Sequence, residues 1–191
     1  MSAVLSYLAS TARVMLLALP LWLVVRTLWL LHRRRASGPL HEVLLALLAL
    51  YLVGLAFQTL GSPGVVRPDG VPLWAYVRDR WQHRLAINLT PLATIRAIWR
   101  HGSAGQRLIN LAGNVLFFLP LGLLPPLLWP RRRHWWAALA LSAGASALIE
   151  LCQLFIGRSV DVDDLLLNAL GGLLGYLLFR LLHALRPRRR A

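Results

Sequence analysis

Five stretches of this 191-residue chain are long and apolar enough to cross a bilayer: residues 14–31, 43–60, 111–129, 135–156 and 165–182, each near the ~20 residues a spanning helix needs. Hydrocarbon offers no partner to a backbone N–H or C=O, so such stretches fold as helices, whose hydrogen bonds are internal. The spacing predicts an all-α, polytopic helical membrane protein with about five transmembrane helices. A hydrophobic content of 58% points the same way, being too high for an ordinary soluble domain.

Charge orients the spans. All 21 basic residues are arginine and the net charge is +14. Nucleic acid is not an expected partner, because no nucleic-acid module is recognisable and the arginines punctuate apolar runs. Three blocks, Arg33-Arg34-Arg35, Arg131-Arg132-Arg133 and Arg186 with Arg188-Arg189-Arg190, fall on one side of a five-helix topology. The positive-inside rule makes that side cytoplasmic, with the N-terminus outside and the C-terminus inside. The first apolar run lacks a basic segment before it and is followed at once by arginines, the pattern of a membrane anchor rather than a cleaved signal. A single cysteine, Cys152, allows neither an intramolecular disulfide nor a cysteine-based zinc site and reads as a packing residue.

The chain divides into two N-terminal helices (1–60), an extracytoplasmic segment (61–108), a three-helix core (109–183) and a basic cytoplasmic tail (184–191). The extracytoplasmic segment begins as a Gly/Pro-rich loop. Further on, Trp74, Trp81 and Trp99 interleave with Arg78, Arg80, Arg84, Arg96 and Arg100, and residues 92–101 have the amphipathic spacing of an interfacial helix. Its arginines are either a solvated basic surface or ligands for lipid phosphate. Pro120, Pro125 and Pro126 predict a kinked or broken third span. Gly171, Gly172 and Gly175 give the fifth a small-residue face for close packing. Arg26 lies inside the first span and is expected to snorkel to the interface.

Polarity gathers at one place. Glu150, Asp161, Asp163 and Asp164 are four of only seven acidic residues, and they sit between two spans, where an ionisable group is functional by default. At ~1.5 Å of rise per residue, Glu150 lies roughly 22 Å above the inner edge, and Asn114 and Asn168 lie ~5 Å below the outer one. Asn110 and Asn114, Glu150 and Gln153, and Asp164 and Asn168 are each spaced to share a helix face. Arg158 and Asp161 fall in the connection above them, where an arginine can hold a carboxylate or a phosphate oxygen. The alternatives are a hydrogen-bonded cluster that fixes helix register, or oxygen ligands for a divalent cation. Asp163 by itself reads as a loop or helix-capping residue. The inner halves of the last three spans read as apolar, which argues against a transport path.

Residues Asn88-Leu89-Thr90-Pro91, Asn110-Leu111-Ala112-Gly113-Asn114 through Pro120-Leu121-Gly122, Glu150-Leu151-Cys152-Gln153, Gly157-Arg158, and Asp161-Val162-Asp163-Asp164 through Gly171-Gly172 together resemble the VanZ-like family of bacterial membrane proteins. The resemblance covers about residues 88–175 in order. The first two spans carry none of it. It implies a cell-envelope protein of the bacterial cytoplasmic membrane, related to an accessory factor for teicoplanin resistance, and action on lipid head groups or lipid-linked cell-wall intermediates.

These residues lead to one expectation and two rivals. A membrane-embedded enzyme would hold a lipid phosphate with Arg158, helped by Arg84 or Arg107, and use Glu150, Asp164 or Asp161 as general base or nucleophile. Asn88, Asn110, Asn114, Gln153 and Asn168 would orient the substrate. A binding protein that shields a lipid-linked precursor or a lipoglycopeptide needs the same pocket without a reactive carboxylate, and a small transporter needs a continuous polar path. No cofactor or oligomeric state is indicated. Intramembrane metalloprotease and Walker signatures are absent from the sequence.

Overall fold

A computed structural model describes residues 2–33, 38–60, 71–72, 74–75, 78, 82, 87–155 and 159–185. The described residues are overwhelmingly helical, and five helices are long and apolar enough to span a membrane. The protein is an all-α, multi-pass membrane protein. It divides into two compact units, Met1–Ser62 and Pro63–Ala191.

The first unit pairs α1 (Ser2–Arg33) with α2 (Pro39–Leu60). Proline opens α2, where its missing N–H costs nothing because that donor has no intrahelical partner. The helices run antiparallel, as three contacts in one register show. Arg26 meets Glu42, Met15 and Thr11 abut Gly54, and Thr11 Oγ1 accepts a hydrogen bond from Gln58 Nε2. Arg26 departs from the snorkelling expectation. Its Nε and a terminal nitrogen each donate to a Glu42 carboxylate oxygen at 2.7 Å, while its guanidinium lies 4.3 Å from the Trp29 ring. A bidentate partner on the facing helix removes the need to reach water.

The second unit contains the interfacial helix α3 (Ala93–His101) and three spans, α4 (Ala104–Leu128), α5 (Trp135–Phe155) and α6 (Val162–Ala184). As expected, residues 92–101 form the amphipathic helix. α4 starts earlier than its apolar run suggests, because Ser103 and Gln106 form a reciprocal capping box. Nor is α4 broken at its prolines. Helix continues through Pro120, Pro125 and Pro126, and the irregularity lies upstream, in a π-helical turn at Leu108–Ala112.

α4 ends for a covalent reason. The Trp129 N–H still bonds the Pro125 carbonyl at 2.8 Å, but the next donor would be Pro130, which has no N–H. Arg133 Nε supplies the missing hydrogen bond to the Pro126 carbonyl at 3.2 Å.

α6 packs most extensively on α4, backbone against backbone. A Cβ added at Gly171 would overlap the Val115 carbonyl, one at Gly175 the Leu119 carbonyl, and one at Gly122 the Gly172 carbonyl. Between helices in lipid there is no hydrophobic drive beyond what the acyl chains already offer, so this close approach, with its dispersion and polar contacts, holds the spans together. Phe118, Leu121, Tyr176 and Phe179 fill the interior. Leucines such as Leu116, Leu148 and Leu177 face outward.

Candidate functional site

The link between α5 and α6 is anchored to a distant part of the chain. Ile87–Asn88 (β1) and Val160–Asp161 (β2) form a short parallel ladder, pairing Asn88 with Asp161. Asp161 is also the N-cap of α6, its Oδ1 accepting from the Asp163 N–H at 2.9 Å. The same oxygen accepts from Asn88 Nδ2 at 3.1 Å, and Asn88 Nδ2 also donates to Thr94 Oγ1 at 3.0 Å. The ladder was not legible as a strand pattern, since two residues carry no alternation.

Asp163 does something that its place in sequence conceals. Its side chain is fully buried, and its two oxygens accept from the backbone N–H groups of Leu92 and Ile95, at 2.5 and 3.0 Å. Leu92 is the N-cap residue of α3 and adopts the left-handed conformation, φ 66°. That geometry costs a leucine ~1–2 kcal/mol, and no side chain of α3 itself caps the helix. Asp163 caps it from another element, its negative charge set at the positive end of the helix dipole. The capping role foreseen for Asp163 is real, but the helix it serves is α3.

Two further carboxylates join from α5 and α6. Buried Glu150 accepts the Asp161 N–H through Oε2 at 3.1 Å, and half-buried Asp164 accepts from Asn114 Nδ2 at 2.6 Å. Gln153, one turn beyond Glu150, is buried on the same side of α5. Asn168 lies deeper, donating to Ser146 Oγ at 2.8 Å.

Glu150 and Gln153 belong to a longer seam with Ser146 and Ser142, all four buried at i, i+4, i+8 and i+11 spacing. Ser142 Oγ and Asn168 Oδ1 are buried and without a hydrogen-bond partner among the described residues. The half of α5 that precedes Glu150 is therefore less apolar along its packed face than its composition suggests. Helical periodicity of the two serines was the available signal. Below Ser142, the Trp135-Trp136-Ala137-Ala138-Leu139-Ala140-Leu141 turns hold no hydrogen-bonding side chain but the indoles.

The structure thus brings together Glu150, Asp161, Asp163 and Asp164 with Asn88 and Asn114, and sets Gln153 and Asn168 alongside. Asn110 does not join Asn114. It is exposed on the π-helical turn, before the part of α4 that α6 covers. Arg158 and Arg84 lie outside the described residues. Arg107 is held at the interface, with Nε 3.4 Å from the Ile98 carbonyl and its guanidinium 5.4 Å from the Trp99 ring. Among the described residues, no three His, Cys, Asp or Glu side chains converge as metal ligands.

Clustered carboxylates at the end of three packed spans, tied to an arginine-bearing amphipathic helix, define a polytopic membrane protein with a polar cluster at one end of its helices. The VanZ/LLP1 family model matches residues 43–183, and the chain belongs to that family. The match reaches back through most of α2, farther than the blocks of residues at 88–175 indicate. Neither a curated protein nor a solved structure matches the chain.

Proposed function

We propose that this VanZ-family protein engages the phosphate-bearing head group of a lipid or lipid-linked cell-wall intermediate at the outer leaflet of the bacterial cytoplasmic membrane. Its N-terminus lies outside and its C-terminus in the cytoplasm. Glu150 or Asp164 is the general base or nucleophile, and Asn114 and Gln153 orient the head group. Arg158 and Arg84, with Arg107, hold the phosphate. Asn88, Asp161 and Asn168 position the carboxylates rather than react.

One observation carries this reading. Asp163 and the Asn88–Asp161 pair fasten an amphipathic helix, with Arg96, Trp99 and Arg100 exposed on it, directly to the carboxylate end of α5 and α6. A basic, tryptophan-bearing helix of this kind favours head-group depth, which supports a role for the carboxylates beside lipid phosphates.

A second reading has its own support. Glu150, Asp161, Asp163 and Asp164 each already accept a hydrogen bond, as suits a rigid binding surface that shields a lipid-linked precursor or a lipoglycopeptide such as teicoplanin. Lipid profiles of cells with the protein, without it, and with Glu150→Gln or Asp164→Asn separate the two. The enzyme alters one head-group class, and either substitution abolishes the change. Unaltered lipids alongside retained precursor binding by Glu150→Gln favour the shield.

A further inference from the structure

The end of the second unit opposite the carboxylates is as one-sided in charge as the candidate site. Arg131, Arg132 and Arg133 stand on and just after a 3-10 turn, and Arg180 projects from the last turns of α6. No Asp or Glu occurs between Glu42 and Asp69, between Asp79 and Glu150, or after Asp164, so this end of the helix trio carries no carboxylate of its own. By helical rise it lies roughly 20 Å from Glu150, beyond the screening length of ~8 Å at physiological salt. The helix trio itself supplies no counter-charge at this cationic end.

The arginines are organised. The Tyr176 hydroxyl donates to the Arg133 carbonyl at 3.2 Å and accepts from a terminal nitrogen of Arg180 at 3.4 Å, tying the turn to α6 at one point. Arg133 uses Nε on the Pro126 carbonyl, which fixes its guanidinium 5.9 Å from the buried Phe179 ring. Trp129, Trp135 and Trp136 are 41–57% exposed around the turn, the placement of residues at a lipid–water boundary. Up the side of α6 run Leu170, Leu174 and Leu177, at least 40% exposed and spaced i, i+4, i+7 toward Arg180.

We propose that this arginine end, centred on Arg180, Arg133 and the Pro130–Arg132 turn, is a binding site for the head group of an anionic phospholipid. The guanidiniums take the phosphate, and an acyl chain lies along the Leu170–Leu174–Leu177 strip. A soluble anion would satisfy the charge but would make no use of the apolar strip that leads to Arg180. The site is independent of the one at Glu150, being at the other end of the same helices.

The test uses the full chain in nanodiscs of phosphatidylcholine alone or mixed with phosphatidylglycerol. Thermal unfolding and lipid retention by native mass spectrometry are measured. Phosphatidylglycerol should raise the melting temperature by several degrees, and Arg180→Gln should weaken its retention roughly fivefold. The double variant Arg131→Gln/Arg132→Gln should act in the same direction, and it decides the matter if Arg180→Gln does not fold. Equal stabilisation by the two lipids overturns the proposal. So does a phosphatidylglycerol effect that survives both variants but vanishes in Arg96→Gln, which would assign the lipid to α3. A matching shift from soluble glycerol phosphate would overturn the assignment to lipid.

Discussion

The α1–α2 hairpin and the α4–α6 trio both place polar groups inside apolar helices, but they join them to different things. In the hairpin, the bonds run from side chain to side chain across two neighbouring helices, Arg26 to Glu42 and Gln58 to Thr11. In the trio, Asp164 also meets a side chain, that of Asn114, but two carboxylates reach backbone donors of segments outside the spans, Asp163 taking Leu92 and Ile95, and Glu150 taking Asp161. Pairs of the first kind fix how two helices slide against one another. Bonds of the second kind fasten an amphipathic helix to the membrane-spanning body. A polar residue in an apolar helix is therefore interpreted by its partner, not by its own identity.

The sharpest way to break the comparison is at the glycines. A methyl group at Gly122 meets the Gly172 carbonyl and the Tyr176 nitrogen, neither of which can move without separating α4 from α6. Gly122→Ala should cost about 3 kcal/mol or more, well beyond the ~1 kcal/mol that alanine gains over glycine in a helix. In the hairpin, Gly54→Ala meets the flexible Met15 thioether and the Thr11 methyl, side chains rather than backbone, and should cost only about 1 kcal/mol. Gly144→Ala meets nothing within 4 Å and should stabilise by up to about 1 kcal/mol. Unfolding titrations in mixed micelles read all three. Equal losses at Gly122 and Gly54 would erase the distinction between the two kinds of packing.

Next in size is the cap in trans. Asp163→Ala strands two backbone N–H groups and leaves Leu92 in a left-handed conformation with nothing to hold it. A loss of about 3 kcal/mol is expected, since hydrogen bonds to a charged acceptor are worth ~1.5–3 kcal/mol each. Hydrogen exchange should accelerate across residues 92–101 while the spans stay protected. Uniform acceleration through α4 to α6 would mean that Asp163 supports the helices themselves rather than the docking of α3.

How much of this was legible in sequence follows the same divide. The spans could be read because an apolar run of ~20 residues has one solution in lipid. The carboxylate cluster was readable because charge beside a span is rare. Asp163 reads as a loop or capping residue, but the helix it caps stays hidden, since its partners lie some 70 residues away in backbone that no side-chain pattern marks. Glu42, in the first turn of α2, is 16 residues from Arg26 and on another helix, so no local spacing marks it as the counter-charge. Ser142 and Ser146 passed as small residues, although their spacing to Glu150 held the clue.

A double-mutant cycle probes the hairpin directly. Arg26→Met alone removes the bidentate partner of Glu42, and Glu42→Leu alone removes that of Arg26. The pair is partly exposed, at 14% and 26%, so each single variant should lose about 2 kcal/mol rather than the 3–5 kcal/mol of a fully buried pair. The double variant should recover most of that loss, giving a coupling of about 1–2 kcal/mol. Additive losses would show that the two residues act through other contacts.

The smallest effect sharpens the boundary inside the trio. Asn168 bonds Ser146 side chain to side chain between α6 and α5, in the manner of the hairpin rather than of Asp163 and Glu150 above it. Ser146→Ala should therefore cost only about 1 kcal/mol, in line with interhelical hydrogen bonds in membranes, whose unfolded reference state also finds partners. The loss should appear in unfolding and leave hydrogen exchange across residues 92–101 unchanged. Loosening of α3 in this variant would place Asn168 and Ser146 in the same cooperative unit as Glu150 and Asp161. The polar site would then extend down the helix seam instead of ending at its rim.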